Sequence, residues 1–360
     1  MVQRNFILTD LMKTGNTPLL EGYVRFNSLK DQEFTMTGEY YTIFGPDHRD
    51  VSTYDRKIAL IDIRTENQRV KSKVFDSEIQ LRIKKLKEMG FVFIFATPYE
   101  SQENVESMKQ LYYPTLDMKA HKWYGGVSWF WYYMILKHIR SKFNVNHYKK
   151  KYTFLYLNKN PRGHRIKLYD KLIQHRLIEN SLVSFVDHPT KPFDLPKEYE
   201  LPWLDAKQPY PKTGMDQELF DKPYQDTVAS IVSETNDNNT DVFMTEKVWK
   251  PILMEQIFVV HGNYQYLKKL KELGFKTFEN IIDESYDNEI DRNLRIEKLV
   301  GAIRSITDRS HVDLYSETLE IRKHNKKHFF NRSAFSEVVN KEILSWLEFF
   351  DSSQVSSTKS

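Results

Sequence analysis

Two stretches constrain this chain more than any other feature. In each, an apolar β-rich run, an amphipathic helix and a second apolar run follow one another. The first begins with Lys57-IALIDIRT, continues through a helix predicted over 77–89 and ends in Phe91-VFIFATP. Ile79, Leu81, Ile83, Leu86 and Met89 are the apolar residues of that helix, and Gly90 is placed to close it. The second series is longer. It reads as a strand at Tyr152-TFLYLNK, a basic helix over 162–177, a strand at Leu182-VSFVD, a strand at Thr227-VASIVSE, a helix over 246–255, a strand at Ile257-FVVHG, a helix over 263–273 closed by Gly274, and a short strand at Phe275-KTF. The last third, from about 288 to 350, is helical by period and ends on Ile343-LSWLEFF. Continuous apolar strands alternating with helices are the pattern of parallel sheets covered on both faces.

Two such series predict an α/β chain with two Rossmann-like domains. The basic segment 144–151 is the expected linker. The expected division is 1–147, 148–335 and a C-terminal helix with a loose polar tail over 336–360. A length of 360 residues with 40% hydrophobic side chains is enough to fill two cores. No run of 18 apolar residues and no leader pattern occurs, so no membrane span and a cytoplasmic location are expected. Zero cysteines exclude a disulfide scaffold, a thiolate metal site and a cysteine nucleophile. A formal net charge of +4 neither demands nor excludes a nucleic-acid partner. No phosphate-binding P-loop, G-x-G-x-x-G or G-x-S-x-G occurs.

Ligands of open α/β sheets bind beyond the carboxyl ends of the strands. One motif there is Val242-FMTEKVWKP. Thr245 suits an N-cap, and Glu246 and Lys247 fall in the first turn of the helix that follows. A helix start with an added lysine can hold a diphosphate, leaving Glu246 to accept hydrogen bonds from ribose or sugar hydroxyls. A capped surface helix with an ion pair is the plainer alternative. Pro251 sits too deep for a first turn, so a kink or a new helix is expected there. The second motif is Asn158-KNPRGHR, in which Arg162 and Arg165 are three apart and suit phosphate oxygens. It lies in a run, 137–176, with twelve Lys and Arg against one acid. That run also fits a solvated basic face or, with Tyr148, Tyr152, Phe154 and Tyr156 interleaved, a nucleic-acid groove. Asp283-ESYD lacks the acid spacing of an EF-hand, and His138 and His147 do not form a zinc pattern, so no metal is expected.

The segment Val232-SETNDNNTDVFMTEKVWKPILMEQIFVVHG followed by Gly274-FKTFENIIDESYD resembles the donor-binding part of the α-1,3-fucosyltransferase family. It is also similar to glycosyltransferase-like proteins of large tailed bacteriophages, which share Leu157-NKNPRGHR, the TEK-W-K-P run and the GF-TF…DESYD run. The resemblance implies a GT-B fold, with the two sheets facing a central cleft. It also implies a nucleotide sugar, GDP- or UDP-linked, on the C-terminal domain, no other cofactor and no metal. Glu246 and Lys247 match the family's nucleotide-sugar contacts, and Glu234 matches loosely the acidic residue before the loop. Val248 and Trp249 replace the family's Tyr or Leu-Tyr, and Ile257-FVVHG lacks its usual Pro.

On this reading the donor site comprises Asn158, Arg162, Arg165, Glu234, Thr245, Glu246, Lys247 and Lys250. An inverting transfer needs a carboxylate base, and Glu100, after Phe91-VFIFATPY, is the first candidate, with Asp47 in Gly45-PDHRD the second. The stretch 123–133 holds seven aromatics. There Trp123 and Tyr124 can stack on the acceptor, or the whole stretch can be a buried helix. The expected function is a fucosyltransferase-like hexosyl- or pentosyltransferase, acting in the host cytoplasm if phage-encoded. The alternatives are a nucleic-acid-binding or virion-associated protein, or a phage enzyme that glycosylates hydroxymethylated DNA bases.

Overall fold

The computed structural model describes residues 6–10, 34–37, 56–62, 77–97, 118–122, 150–185, 219, 221–239, 242–331 and 333–334. The chain forms two compact units, residues 1–130 with 332–360, and residues 131–331. The expected boundary at 147–148 and the helix expected over 343–350 fall outside the described residues.

The first unit holds the strands β1 (Phe6–Asp10), β2 (Phe34–Thr37), β3 (Arg56–Asp62), β4 (Val92–Thr97) and β5 (Met118–Lys122), with helix α1 (Ser77–Glu88) between β3 and β4. They form one sheet in the order β2-β1-β3-β4-β5, and every neighbouring pair is parallel. Ile83 and Leu86 of α1 are buried, whereas Leu81 faces outward. Two residues along a helix is a turn of about 200°, so Leu81 and Ile83 cannot share a face. Gly90 takes a left-handed φ of +81°. Its N–H reaches the Lys87 carbonyl and that of Phe91 reaches the Leu86 carbonyl, which together close the helix in a Schellman motif.

The second unit begins with β6 (Tyr152–Asn158), α2 (Gly163–Gln174) and β7 (Ser181–Phe185). It continues through α3 (Asp221–Asp226), β8 (Thr227–Ser233), α4 (Glu246–Leu253), β9 (Ile257–His261) and α5 (Tyr266–Glu272). A 3-10 turn (Ser285–Asn288) leads to α6 (Arg292–Thr307), α7 (His311–Glu317) and α8 (Leu319–Phe329). The sheet order is β7-β6-β8-β9, again all parallel and separate from the first sheet. Every residue of β8 and β9 is buried, the polar Thr227, Ser230, Ser233 and His261 included.

Three expectations are corrected here. The helix opened by the NPRGHR motif starts at Gly163, with Arg162 as its N-cap, and stops at Gln174. Helix α4 continues through Pro251 and does not restart there. Phe275-KTF is not a strand. The Asn325 side chain from α8 takes the place of a neighbouring strand there, accepting from the Lys276 N–H and donating to its carbonyl, both at 2.8 Å. Trp249 of α4 is fully buried against Phe275 and Phe329, with ring centroids 5.3 and 6.0 Å away. This packing fixes α4 against Phe275 and the end of α8.

Candidate functional site

A parallel β–α connection leaves the carboxyl end of a strand and enters the start of a helix. The starts of α2 and α4 therefore belong to the same sheet edge as the ends of β6, β8 and β9. The chain segment that leaves β8, residues 233–235, joins them.

Three side chains from the start of α2 hold that segment by its carbonyls. Arg162 donates from Nη1 to Thr235 at 2.7 Å, and His164 donates from Nε2 to Glu234 at 3.1 Å. Arg165 donates from Nε and Nη2 to Glu234 at 3.3 and 2.9 Å, and from Nη2 to Ser233 at 3.3 Å. Its Nη1 reaches Asn160 at 3.3 Å. Buried carbonyls need donors once they leave the sheet ladder, and this motif supplies them. Arg165, expected on phosphate, meets main-chain carbonyls in this structure. Arg165 is buried and its guanidinium is turned onto main chain. Arg162 is half-buried and places one N–H of its five on Thr235.

From the same segment the Glu234 side chain reaches α4. It is wholly buried. Oε1 accepts from the Thr245 N–H at 3.1 Å and from the Tyr266 hydroxyl at 2.7 Å, and Oε2 accepts from the Thr245 hydroxyl at 2.5 Å. Thr245 is the N-cap of α4, and its Oγ1 accepts from the Lys247 N–H at 3.5 Å. The Lys247 ammonium donates to Thr245 Oγ1 at 2.7 Å and pairs with Glu246 Oε1 at 2.8 Å. Burial pushes the Glu246 carboxyl upward, but the Lys247 and Lys250 charges outweigh it and hold the group at about 2. Glu246 is thus an anionic acceptor at any ordinary pH. Gly262 makes this packing possible, because a Cβ there would meet the Tyr266 ring at 3.0 Å.

Asn158 ends β6 buried, and neither atom of its side-chain amide has a hydrogen-bond partner. Glu100, Asp47, Trp123 and Tyr124 lie outside the described residues. β4, which leads toward Glu100, ends at Thr97.

Sequence reading missed a polar cluster at the same edge, in which Asp237, His261 and Arg295 are buried and Arg292 is exposed. Asp237 pairs with Arg292 through both carboxyl oxygens and lies 3.9 Å from His164 Nδ1 and 4.0 Å from His261 Nε2. Arg295 donates to the carbonyls of Asp237 and Gly262 at 3.0 and 3.2 Å. Burial, then the His164 charge, pulls His261 down to about 3, so this ring stays neutral. The available signal was the pair Arg292 and Arg295, three apart at a helix start, opposite a loop rich in Asn and Asp.

The Asp283-ESYD loop is structural. Asp287 caps α5 by accepting from Leu267 and Lys268 at 2.8 and 3.0 Å, and Glu284 accepts from the Phe278 N–H at 2.7 Å. Much of the basic run is likewise engaged within the unit. Lys150 donates to the Gln225 carbonyl at 2.8 Å, while Lys151, Lys171 and Arg176 pair with Asp226, Glu297 and Glu179 at 3.5, 2.7 and 3.1 Å.

No protein-family model and no curated protein matches this sequence. A mutant of BGT from phage T4, solved in complex with UDP-glucose, aligns over 94% of this chain and 99% of its own, with a TM-score of 0.44 and 12% identity.

Proposed function

We propose that this protein is a GT-B-type glycosyltransferase that moves a sugar from a nucleoside-diphosphate donor to a hydroxyl acceptor. The observation that carries this reading is the convergence of two helix starts on residues 233–235, with Lys247 beside them. The TEK resemblance supports the same assignment. A leaving diphosphate develops negative charge, and preorganised donors that meet that charge lower the barrier most. The α4 N–H groups, the Lys247 ammonium and the remaining N–H groups of Arg162 are suited to this, with no metal required. Glu246 accepts from a ribose or sugar hydroxyl, and Lys250 adds positive charge beside it.

The acceptor hydroxyl is deprotonated by a carboxylate of the first unit, Glu100 or, failing that, Asp47. Its oxygen bonds to the anomeric carbon as the bond from that carbon to the phosphate oxygen breaks. The nucleoside diphosphate leaves with the electron pair, and configuration inverts. Trp123 and Tyr124 stack on the acceptor, which is a glycan hydroxyl or a hydroxymethylated DNA base. The first unit takes the acceptor role and the second the donor role, in the cytoplasm of a host if the chain is phage-encoded. A nucleic-acid-binding or virion-associated module is the competing class. The ion pairs of Lys151, Lys171 and Arg176 within the unit leave that reading with less charge for a backbone.

The test is calorimetric titration with UDP and GDP beside turnover of UDP- and GDP-sugars, with hydroxymethylated duplex DNA and free glycans as acceptors. Binding of one nucleotide and its release from the matching sugar are expected. Salt-sensitive DNA binding with neither nucleotide bound would overturn the reading.

A further inference from the structure

The geometry around Glu234 points to a role that the donor-site reading does not give it. We infer that Glu234 is a positioning residue which acts through Thr245 to aim the Lys247 ammonium. The inference rests on the proposed donor site and deepens it, since it removes Glu234 from the contact surface and makes it the support of a contact.

Glu234 is wholly buried, so a ligand at the surface of this edge does not reach its carboxyl group. Its oxygens are already occupied by the Thr245 N–H, the Thr245 hydroxyl and the Tyr266 hydroxyl, at 3.1, 2.5 and 2.7 Å. Lys247 Nζ lies 3.9 Å from Oε2, beyond hydrogen-bond reach. The connection therefore runs through Thr245. A hydroxyl has one hydrogen and two lone pairs. With that hydrogen committed to Glu234, Oγ1 can only accept, and it accepts from Lys247 Nζ at 2.7 Å. The Thr245 hydroxyl thus has its direction set from the buried side and offers its lone pairs on the exposed side. Burial, then the neighbouring Glu234, holds the Tyr266 phenol far above its ordinary value, so it remains a donor to Glu234. Upstream, Arg165 and His164 fix the Glu234 main chain. The chain of contacts runs from the NPRGHR motif to Glu234, to Thr245, to Lys247.

Lysine is otherwise a flexible point charge on four methylenes. Holding one of its three N–H groups on Thr245 and a second on Glu246 directs the third. Glu234→Gln puts an amide N–H where Oε2 stood, so the Thr245 hydroxyl hydrogen loses its acceptor and turns toward the ammonium. Thr245→Val removes the hydroxyl, and Thr245→Ser keeps it.

Acetylation of the ligand-free full-length protein by acetic anhydride, followed at Lys247 by mass spectrometry, reads the positioning directly. Lys247 is partly exposed and within reach of the reagent. Glu234→Gln and Thr245→Val should each raise its acetylation rate about threefold or more, because a side chain released from Thr245 Oγ1 is free to meet the reagent. Thr245→Ser should restore the wild-type rate, and the reference lysines Lys271 and Lys276 should not change. An unchanged rate at Lys247, or an equal rise at the reference lysines, would overturn the inference. The second measurement is nucleotide affinity in a double-mutant cycle. Glu234→Gln should weaken UDP or GDP binding about tenfold in the wild type, the size of one charged contact. In a Lys247→Met background the loss should be under about twofold, because the effect acts through the missing ammonium. The same loss in both backgrounds would also overturn it. If the wild type binds neither nucleotide, the functional reading fails, and the acetylation rates still decide the positioning.

Discussion

Arg165 holds the main-chain carbonyl of Glu234 with two N–H groups, Nε at 3.3 Å and Nη2 at 2.9 Å. The Asn158-KNPRGHR motif is thus tied at its center to main chain. Removing a buried guanidinium takes donors from the buried carbonyls of Ser233 and Glu234, and a buried group left short of its hydrogen bonds costs about 1–3 kcal/mol. Arg165→Met should therefore lower stability by roughly 2–4 kcal/mol, read as a fall in Tm and in the urea midpoint. A variant as stable as the wild type would show that the fork does not support the strand end.

Lys247 should behave in the opposite way. Its side chain is partly exposed and anchors no core, so Lys247→Ala should leave the melting curve nearly unchanged. Charged hydrogen bonds contribute about 1.5–3 kcal/mol, so nucleoside-diphosphate affinity should fall about tenfold or more. Calorimetric titration of the variant with UDP and GDP checks this, and wild-type affinity would remove Lys247 from the donor site.

The two series of strands and helices were legible because their signals are local. β3, β4, β6, β8 and β9 are apolar runs, and Gly90 and Gly274 close α1 and α5 with left-handed φ values of +81° and +89°. β2 and β5, reading FTMT and MKAHK, carry little apolar signal, the apolar run of β1 is only three residues long, and all three pair with neighbours distant in sequence. Phe275-KTF has strand composition, but a side chain from α8 takes its hydrogen bonds. At the site, the Thr245 cap could be read from one dozen residues. The direction of Arg165 could not, because a spacing of three places two arginines side by side without saying which one turns inward. The Asp237–His261–Arg292 cluster joins three elements, and no local pattern announces it.

Glu100→Gln keeps the shape of the candidate base and removes its proton acceptor. Turnover should fall by about 100-fold or more, in line with general-base catalysis, with nucleotide affinity unchanged. Steady-state rates beside a UDP or GDP titration separate the two effects. Full turnover in this variant would clear Glu100 and turn attention to Asp47.

Two glycines should respond in opposite directions to the same added methyl group. A Cβ at Gly262 would stand 3.0 Å from the Tyr266 ring and 3.5 Å from Glu234 Cγ, and the ring is buried with little room to yield. Gly262→Ala should cost about 1–3 kcal/mol, the usual penalty for overpacking. Gly163 opens α2 with nothing within 4 Å of a Cβ. Gly163→Ala should be neutral or stabilise by about 0.4–1 kcal/mol through the unfolded chain. Thermal melts of both variants test the packing, and equal Tm values would contradict it.

The acid response should divide between His261 and Glu284, whose shifts run in opposite directions. His261 is held at about 3, against an ordinary 6.5, by burial and then by the His164 charge. Its unfolded form takes a proton that the folded form refuses. The stability it contributes is present above pH 6.5 and is lost as pH falls from there toward 3. Glu284 is raised from 4.5 to about 7, with burial as the largest cause. The folded form keeps a proton that the unfolded form has released, so its contribution is present below pH 4.5 and is lost as pH rises through 7. Between these limits the two trends oppose each other in the wild type. Glu284→Gln removes one of them, because its amide does not ionise. The Tm of Glu284→Gln minus that of the wild type should therefore climb steadily from pH 4.5 to 8, by a few degrees. Melting curves across that range decide it. A constant difference would mean that the Glu284 carboxyl does not titrate differently in the folded and unfolded chains.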